Sequence, residues 1–323
     1  MKFFDYFYRE EVLINQNWSK SWDVFVSSWD GSERVRQVYD HVTAVRKVWL
    51  VHPEYNIPVV ELPLEEKFEA VGGDPYATRS LIDHLESMCN LKQTKICFDI
   101  TGMLRPQIAI LVRFLKHRGV SKFDVIYSQP ADYAKRERTK FSSGEVTDVK
   151  EIAGFGGINH PGAQEVLIVA PGFDAALQRE VFDHKASAQR FLLFGLPSLQ
   201  PDMYQQNILQ AYGIDTPVPD NEASNSKRFA PAADPFSVAT ELSAVVSEAR
   251  TKWPQSRFYI APLGPKPQML GAALFYLTES AAGTVSLIYP VVSSHAPATS
   301  SGISTVAINT IDFALLDAIT ARN

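Results

Sequence analysis

The chain has 323 residues, of which 46% are hydrophobic and 21% charged, and its net charge is −5. The length is about twice that of a usual domain and the composition is ordinary for a globular protein able to bury a sizeable core, so two compact units are expected. The acidic balance excludes a global positive field of the kind that drives non-specific nucleic-acid binding, and direct nucleic-acid binding is not expected.

The N-terminal segment is aromatic, but Asp5, Glu10 and Glu11 interrupt it too early for the apolar region of a signal peptide. The first apolar strand covers residues 24–26 and is followed by a turn at Asp30 and Gly31 and a helical segment containing Arg36, Val38, Tyr39, Asp40 and His41. A second strand, residues 48–52, runs into Pro53. Asp74 and Pro75 then open a helix, the aspartate placed to cap free amides and the proline tolerated in the first turn. Cys89 and Cys97 are spaced for neither a zinc site nor a disulfide framework, and both are expected to be buried thiols in a reducing compartment. A third strand at 98–100 leads through Thr101-Gly102-Met103-Leu104-Arg105-Pro106-Gln107 into a helix, and 125–127 is a fourth strand.

The same order then recurs. A strand at 166–169 is followed by Pro171 and Gly172 and by a helical segment containing Arg179, Val181, Phe182, Asp183 and His184. A strand at 192–196 runs into Pro197, Asp234 and Pro235 open a helix, and a strand ending near Pro262 leads through Gly264-Pro265-Lys266-Pro267-Gln268 into another. Residues 287–289 match the fourth strand. Asp40 and Asp183 are 143 residues apart, Asp74 and Asp234 160, and Gly102 and Gly264 162, so the repeat has the size of a domain and the second copy carries an insertion. That insertion falls at residues 213–233, which read as a surface loop, while residues 140–164, rich in Gly and Ser, read as the junction.

Alternating strands and helices require a parallel sheet covered on both faces. The expected fold class is therefore α/β, with two tandem Rossmann-like units of mainly parallel sheet arising from internal duplication: residues 1–150, with an N-terminal extension, and residues 151–323. No apolar run approaches the length of a membrane span, because 108–115 is broken at Arg113 and 271–277 ends at Thr278 and Glu279. No membrane partner is expected, and the expected location is the cytoplasm.

In such sheets ligands sit beyond the carboxyl ends of the strands. Gly102 there frees the backbone and admits a ligand close to the main chain, while the following helix offers unpaired N–H groups and the positive end of its dipole. Thr101 adds a hydroxyl, Arg105 a forked cation and Gln107 an amide. Gly264, Lys266 and Gln268 repeat the arrangement. At the first turns, Ser28, Asp30 and Asp174 are candidates for ligand hydroxyls and Arg34 for a phosphate, with Gly172 in the ligand-binding turn of the second copy. As plain helix-start turns and N-caps these residues need no ligand at all.

The turn Asp99-Ile100-Thr101-Gly102, followed by a cation and a helix, resembles the Thr-Gly-Gly-(Thr/Ser)-Lys turn of the CRISPR-associated Rossmann fold (CARF) ligand-sensing domains. A tandem pair in one chain is similar to the SAVED sensors of bacterial anti-phage systems. Met103 stands where that family has its second Gly, Arg105 replaces Lys, and Leu263 and Pro265 replace Thr and Gly in the second copy. The resemblance implies a cyclic oligonucleotide held between two units, a role in defence, and a protein partner or effector subunit, since no effector domain is left over in the length. No cofactor and no metal site are expected under this reading.

An enzyme is the alternative. Asp99 at a strand end, with Asp30 on a neighbouring strand, is a candidate general base or magnesium ligand for phosphoester chemistry. A protein-interaction scaffold is a further alternative. Tyr127 and Tyr289 are candidates for stacking on a base or for core packing, Lys135, Arg136, Arg138 and Lys140 for a solvated basic face, and His41 and His184 for helix ends.

Overall fold

A computed structural model of the chain describes residues 4–133, 146–158, 160–172, 174–199, 205, 208, 226–279, 283–292 and 300–321. In chain order the elements are β1 (Arg9–Val12), β2 (Trp22–Trp29), α1 (Glu33–His41), β3 (Ala44–Val51), β4 (Lys67–Glu69), α2 (Tyr76–Met88), β5 (Ile96–Asp99), α3 (Arg105–His117) and β6 (Lys122–Tyr133). They continue as β7 (Val146–Glu151), β8 (Gln164–Ala170), α4 (Ala175–His184), β9 (Gln189–Gly195), β10 (Lys227–Ala230), α5 (Pro235–Lys252), β11 (Ser256–Pro262), α6 (Lys266–Glu279), β12 (Val285–Val292), β13 (Ser300–Asp312) and α7 (Phe313–Ala321). No helix among the described residues is long and apolar enough to cross a membrane.

Two compact units result. The N-terminal unit comprises Phe7–Ser143 and Ser294–Leu315; the C-terminal unit comprises Met1–Tyr6, Gly144–Ser293 and Leu316–Asn323. These bounds differ from a division between residues 150 and 151 because two strands lie across it. β7 pairs antiparallel with β12, and β13 pairs antiparallel with β6. Part of the Gly- and Ser-rich junction is thus an edge strand. The surface-loop reading of residues 213–233 needs the same adjustment at its end, where Lys227–Ala230 forms β10.

The N-terminal sheet runs β1-β13-β6-β5-β2-β3-β4 and the C-terminal sheet β10-β9-β8-β11-β12-β7. In each, five neighbouring strands are parallel and chain order departs in both directions from a central pair, β2 with β5 and β8 with β11. That reversal is the switch point at which open α/β sheets take ligands. Central strands buried on both faces need near-continuous apolar runs, and β11 is buried at all of its residues. On one face of the N-terminal sheet, Val35, Val38 and Tyr39 of α1 pack with Trp22, Phe25, Trp49, Ile126 and Ile308. In the C-terminal unit α6 is buried on nearly every side, which explains why its sequence is apolar all round.

Helix starts follow the sequence unevenly. Asp234 caps α5, its carboxylate accepting from the N–H groups of Phe236 (2.9 Å) and Ser237 (3.3 Å). Asp74 does not cap α2: that helix begins at Tyr76, Pro75 holds the cap position, and no side chain closes it.

The glycines at the switch points answer to space and not to backbone angle. Gly102, Gly172 and Gly264 are absent from the left-handed positions of the described chain. A Cβ on Gly102 would collide with the Ser28 carbonyl oxygen, and one on Gly172 with the Leu263 carbonyl. A Cβ on Gly264 would collide with the Gln268 amide oxygen and lie 3.0 Å from the Pro171 carbonyl. In both units the two strand-end turns are therefore pressed together, and the close approach expected from a ligand is made by the protein's own main chain. Gly102→Ala and Gly172→Ala are each expected to lose about 1–3 kcal/mol by overpacking against immovable carbonyls. Gly264→Ala should lose less, because an amide oxygen can swing aside. Urea unfolding checks the order, and equal losses at all three would contradict it.

Candidate functional site

Built up from β5, the third turn of the N-terminal unit is a closed polar lattice. Asp99 is fully buried, with Oδ2 accepting from Ser27 Oγ (2.9 Å) and Oδ1 from the Thr101 N–H (2.9 Å). Thr101 Oγ1 accepts from the Ser128 N–H (2.9 Å) and lies 3.1 Å from Ser128 Oγ. Tyr55 donates its hydroxyl to the Gly102 carbonyl (2.8 Å). Asp99 and Thr101 thus fasten β5 to its neighbours. An enclosed, doubly bonded carboxylate is a strand-end fastener and a poor general base.

Asp30 accepts from the Ser32 N–H (2.9 Å), and Asp174 caps α4 by accepting from the N–H groups of Ala176 (3.2 Å) and Leu177 (3.4 Å). Both carboxylates serve backbone amides. Among the described residues no three His, Cys, Asp or Glu side chains gather as metal ligands. Gln107 and Gln268, the third residues of α3 and α6, are buried; the Gln107 side chain is a hydrogen-bond partner of the Asp74 carboxyl, while neither amide atom of Gln268 has a partner. Arg105 and Lys266 are the first residues of those helices and are half-buried.

The feature with the clearest electrostatic demand is Arg34. It is the second residue of α1 and only 7% exposed. Nη1 donates to the Ser128 carbonyl (2.7 Å), while Nε is buried without a partner. Among the described residues no carboxylate lies within ion-pair distance of it. Removing a guanidinium from water costs several kcal/mol unless a counter-charge offsets it, and the positive end of the α1 dipole adds to the cost.

Two buried hydroxyls of the same unit are also unmatched. Ser32 holds the N-cap position of α1 but makes no cap bond, and its buried Oγ has no partner. Ser28 Oγ, fully buried, has none either. The contacts are continuous: Arg34 meets Ser128, Ser128 meets Thr101, and Gly102 abuts Ser28. Buried polar groups are normally satisfied, and Arg34 Nε and the Ser32 hydroxyl are open donors at the start of α1. Of the residues singled out from sequence, Arg34 and Thr101 share Ser128 as a partner, while Gly102 abuts Ser28, whose register partner Leu50 lies on the α2 and α3 side of the sheet. The hydroxyl of Ser32 was missed because an N-cap serine normally spends its oxygen on the helix.

The remaining candidates take structural places. Tyr127 and Tyr289 are buried, and His41 and His184 lie in the last turns of α1 and α4, where a cation suits the dipole. Burial pushes the Cys97 thiol well above its usual range, with the charges of Asp124 and Asp99 adding to the effect, so it is an inert packing group. Cys89 is only half-buried, which corrects the expectation of two buried thiols. Lys135, Arg136, Arg138 and Lys140 lie outside the described residues.

The strand orders and the switch-point turns define the chain as a mixed α/β protein of two Rossmann-like units. Comparison with known protein families finds no matching family model, and comparison with curated proteins finds no match.

Thr101→Val removes the acceptor for the buried Ser128 N–H and is expected to lower unfolding free energy by about 1–3 kcal/mol. Denaturant titration checks this. A loss below about 0.5 kcal/mol would mean that the lattice is not holding the turn.

Proposed function

We propose that the protein is a ligand-sensing or accessory protein that binds a nucleotide-type anion at the switch point of its N-terminal Rossmann-like unit. The observation that carries this reading is Arg34, a buried guanidinium at a helix N-terminus with no carboxylate beside it among the described residues. A phosphate there would supply the missing counter-charge, accept from Arg34 and from the free hydroxyl of Ser32, and meet the positive end of α1. Arg105 and Lys266, opening α3 and α6, add cations at the corresponding helix starts of the two units.

The resemblance to CARF and SAVED sensors narrows the ligand to a cyclic oligonucleotide and supports a role in anti-phage defence through a partner or effector subunit. The same resemblance and the matched turns support an internal duplication and a cytoplasmic setting. The enzyme reading draws less support, because both oxygens of Asp99 and one of Asp30 are taken by the fold's own donors.

Thermal unfolding with cyclic and linear oligonucleotides tests the proposal. Wild-type protein is expected to gain stability as RT ln(1 + [L]/Kd), about 2.7 kcal/mol at a hundredfold excess over Kd. Arg34→Met should weaken binding at least tenfold while leaving ligand-free stability equal or higher, since apolar replacement of a poorly compensated buried ion is often neutral or stabilising. An Arg34→Met protein that responds to nucleotide like wild type would overturn the assignment.

A further inference from the structure

At the amino ends of β2, β5 and β6, opposite the switch point of the same unit, a groove of about 610 Å³ is lined by Lys20, Lys92, Lys95 and Lys122 together with hydroxyls that include Ser21 and Thr94. The volume lies in the range of small-molecule sites. Its acids are already engaged. Asp124 accepts from Trp22 Nε1 (2.8 Å) and Thr310 Oγ1 and pairs with Lys20 at 3.4 Å; Glu10 also pairs with Lys20, and Asp23 accepts from the Lys95 N–H (2.7 Å).

Lys92, Lys95 and Lys122 are exposed and have no carboxylate within ion-pair distance among the described residues. They come from the segment before β5 and the first residue of β6, which the fold brings together: the Lys92 stem lies over Gly119, its Cε 3.3 Å from where a Cβ on that glycine would sit. Lys92 and Lys122 stand four and five residues past the ends of α2 and α3, beyond the turn over which a helix dipole rewards a cation. Three like charges gathered around a concavity, in a chain whose net charge is −5, repel one another and concentrate a positive field.

We propose that this groove is a second anion site, for a small molecule carrying two or more adjacent phosphates. The clustered ammonium groups suit a compact polyanion, to which lysine binds as a point charge without demanding one orientation. The half-exposed Tyr8 ring at the wall, with Lys20 Nζ 4.8 Å from its centroid, offers a face for a base if the phosphates belong to a nucleotide.

Calorimetric titration of the full chain with inorganic tripolyphosphate and with a nucleoside triphosphate tests this. Arg34→Met is used as parent so that the switch-point site does not contribute. The parent is expected to bind tripolyphosphate saturably, more weakly at higher salt, and the variant that adds Lys92→Gln, Lys95→Gln and Lys122→Gln should bind at least tenfold more weakly. Tighter binding of the nucleoside triphosphate than of tripolyphosphate would identify a nucleotide source, and equal binding a free polyphosphate. All three lysines are exposed, so the variant keeps its fold, which circular dichroism verifies. The proposal is overturned if the added substitutions leave affinity unchanged, if the parent binds neither compound, or if only a single-stranded oligonucleotide binds.

Discussion

In each unit the architecture depends on two strand-end turns meeting closer than any side chain would permit. Gly102 lies against the Ser28 carbonyl, and Gly172 and Gly264 face the Leu263 and Pro171 carbonyls. This contact fixes where the first and third helices of each unit begin, and so where their exposed amides and leading cations stand. It also changes what the glycines are for. They seal the floor of the switch point, so under the proposed function recognition would fall to the side chains at its rim.

That division of labour orders the polar residues of the N-terminal unit. Asp99, Thr101, Asp30 and the Tyr55 hydroxyl spend their hydrogen bonds on the fold's own main-chain and hydroxyl groups and hold the turns in register. Arg34 Nε and the hydroxyls of Ser28 and Ser32 are left without partners. Natural sites often leave such groups open at a cost in stability, because the same groups lose little reorganisation energy when a ligand arrives. The lysine groove at the opposite end of the sheet follows the same logic on an exposed surface, where repulsion among ammonium groups replaces desolvation as the cost.

The parallel core was legible in the sequence because buried strands need apolar runs and helix starts need caps, and both signals repeat. β2, β3, β5 and β6 and β8, β9, β11 and β12 lie where those runs stand. The edge strands were not legible: β4 has three residues, β7 reads Val-Thr-Asp-Val-Lys-Glu, and a mostly polar edge exposed on one side carries no apolar run. β13 returns to the first sheet from residue 300, a long-range pairing that no local pattern reveals. At the site, sequence located the turns, and the folded chain adds which groups press against their glycines. Glycine at a strand end serves a ligand or a neighbouring carbonyl equally well, and an aspartate opening a helix caps it at Asp234 but not at Asp74. Arg34 stood out less than Arg105 because its burial without a carboxylate beside it among the described residues is a property of the folded chain alone.

The most direct measurement is the nitrogen-edited NMR signal of the Arg34 side-chain Nε–H during titration with a cyclic oligonucleotide. The account requires that this resonance shift and exchange more slowly with water as the ligand saturates, together with the backbone amide of Ser32. A ligand that binds while leaving the Arg34 signal unmoved would contradict it.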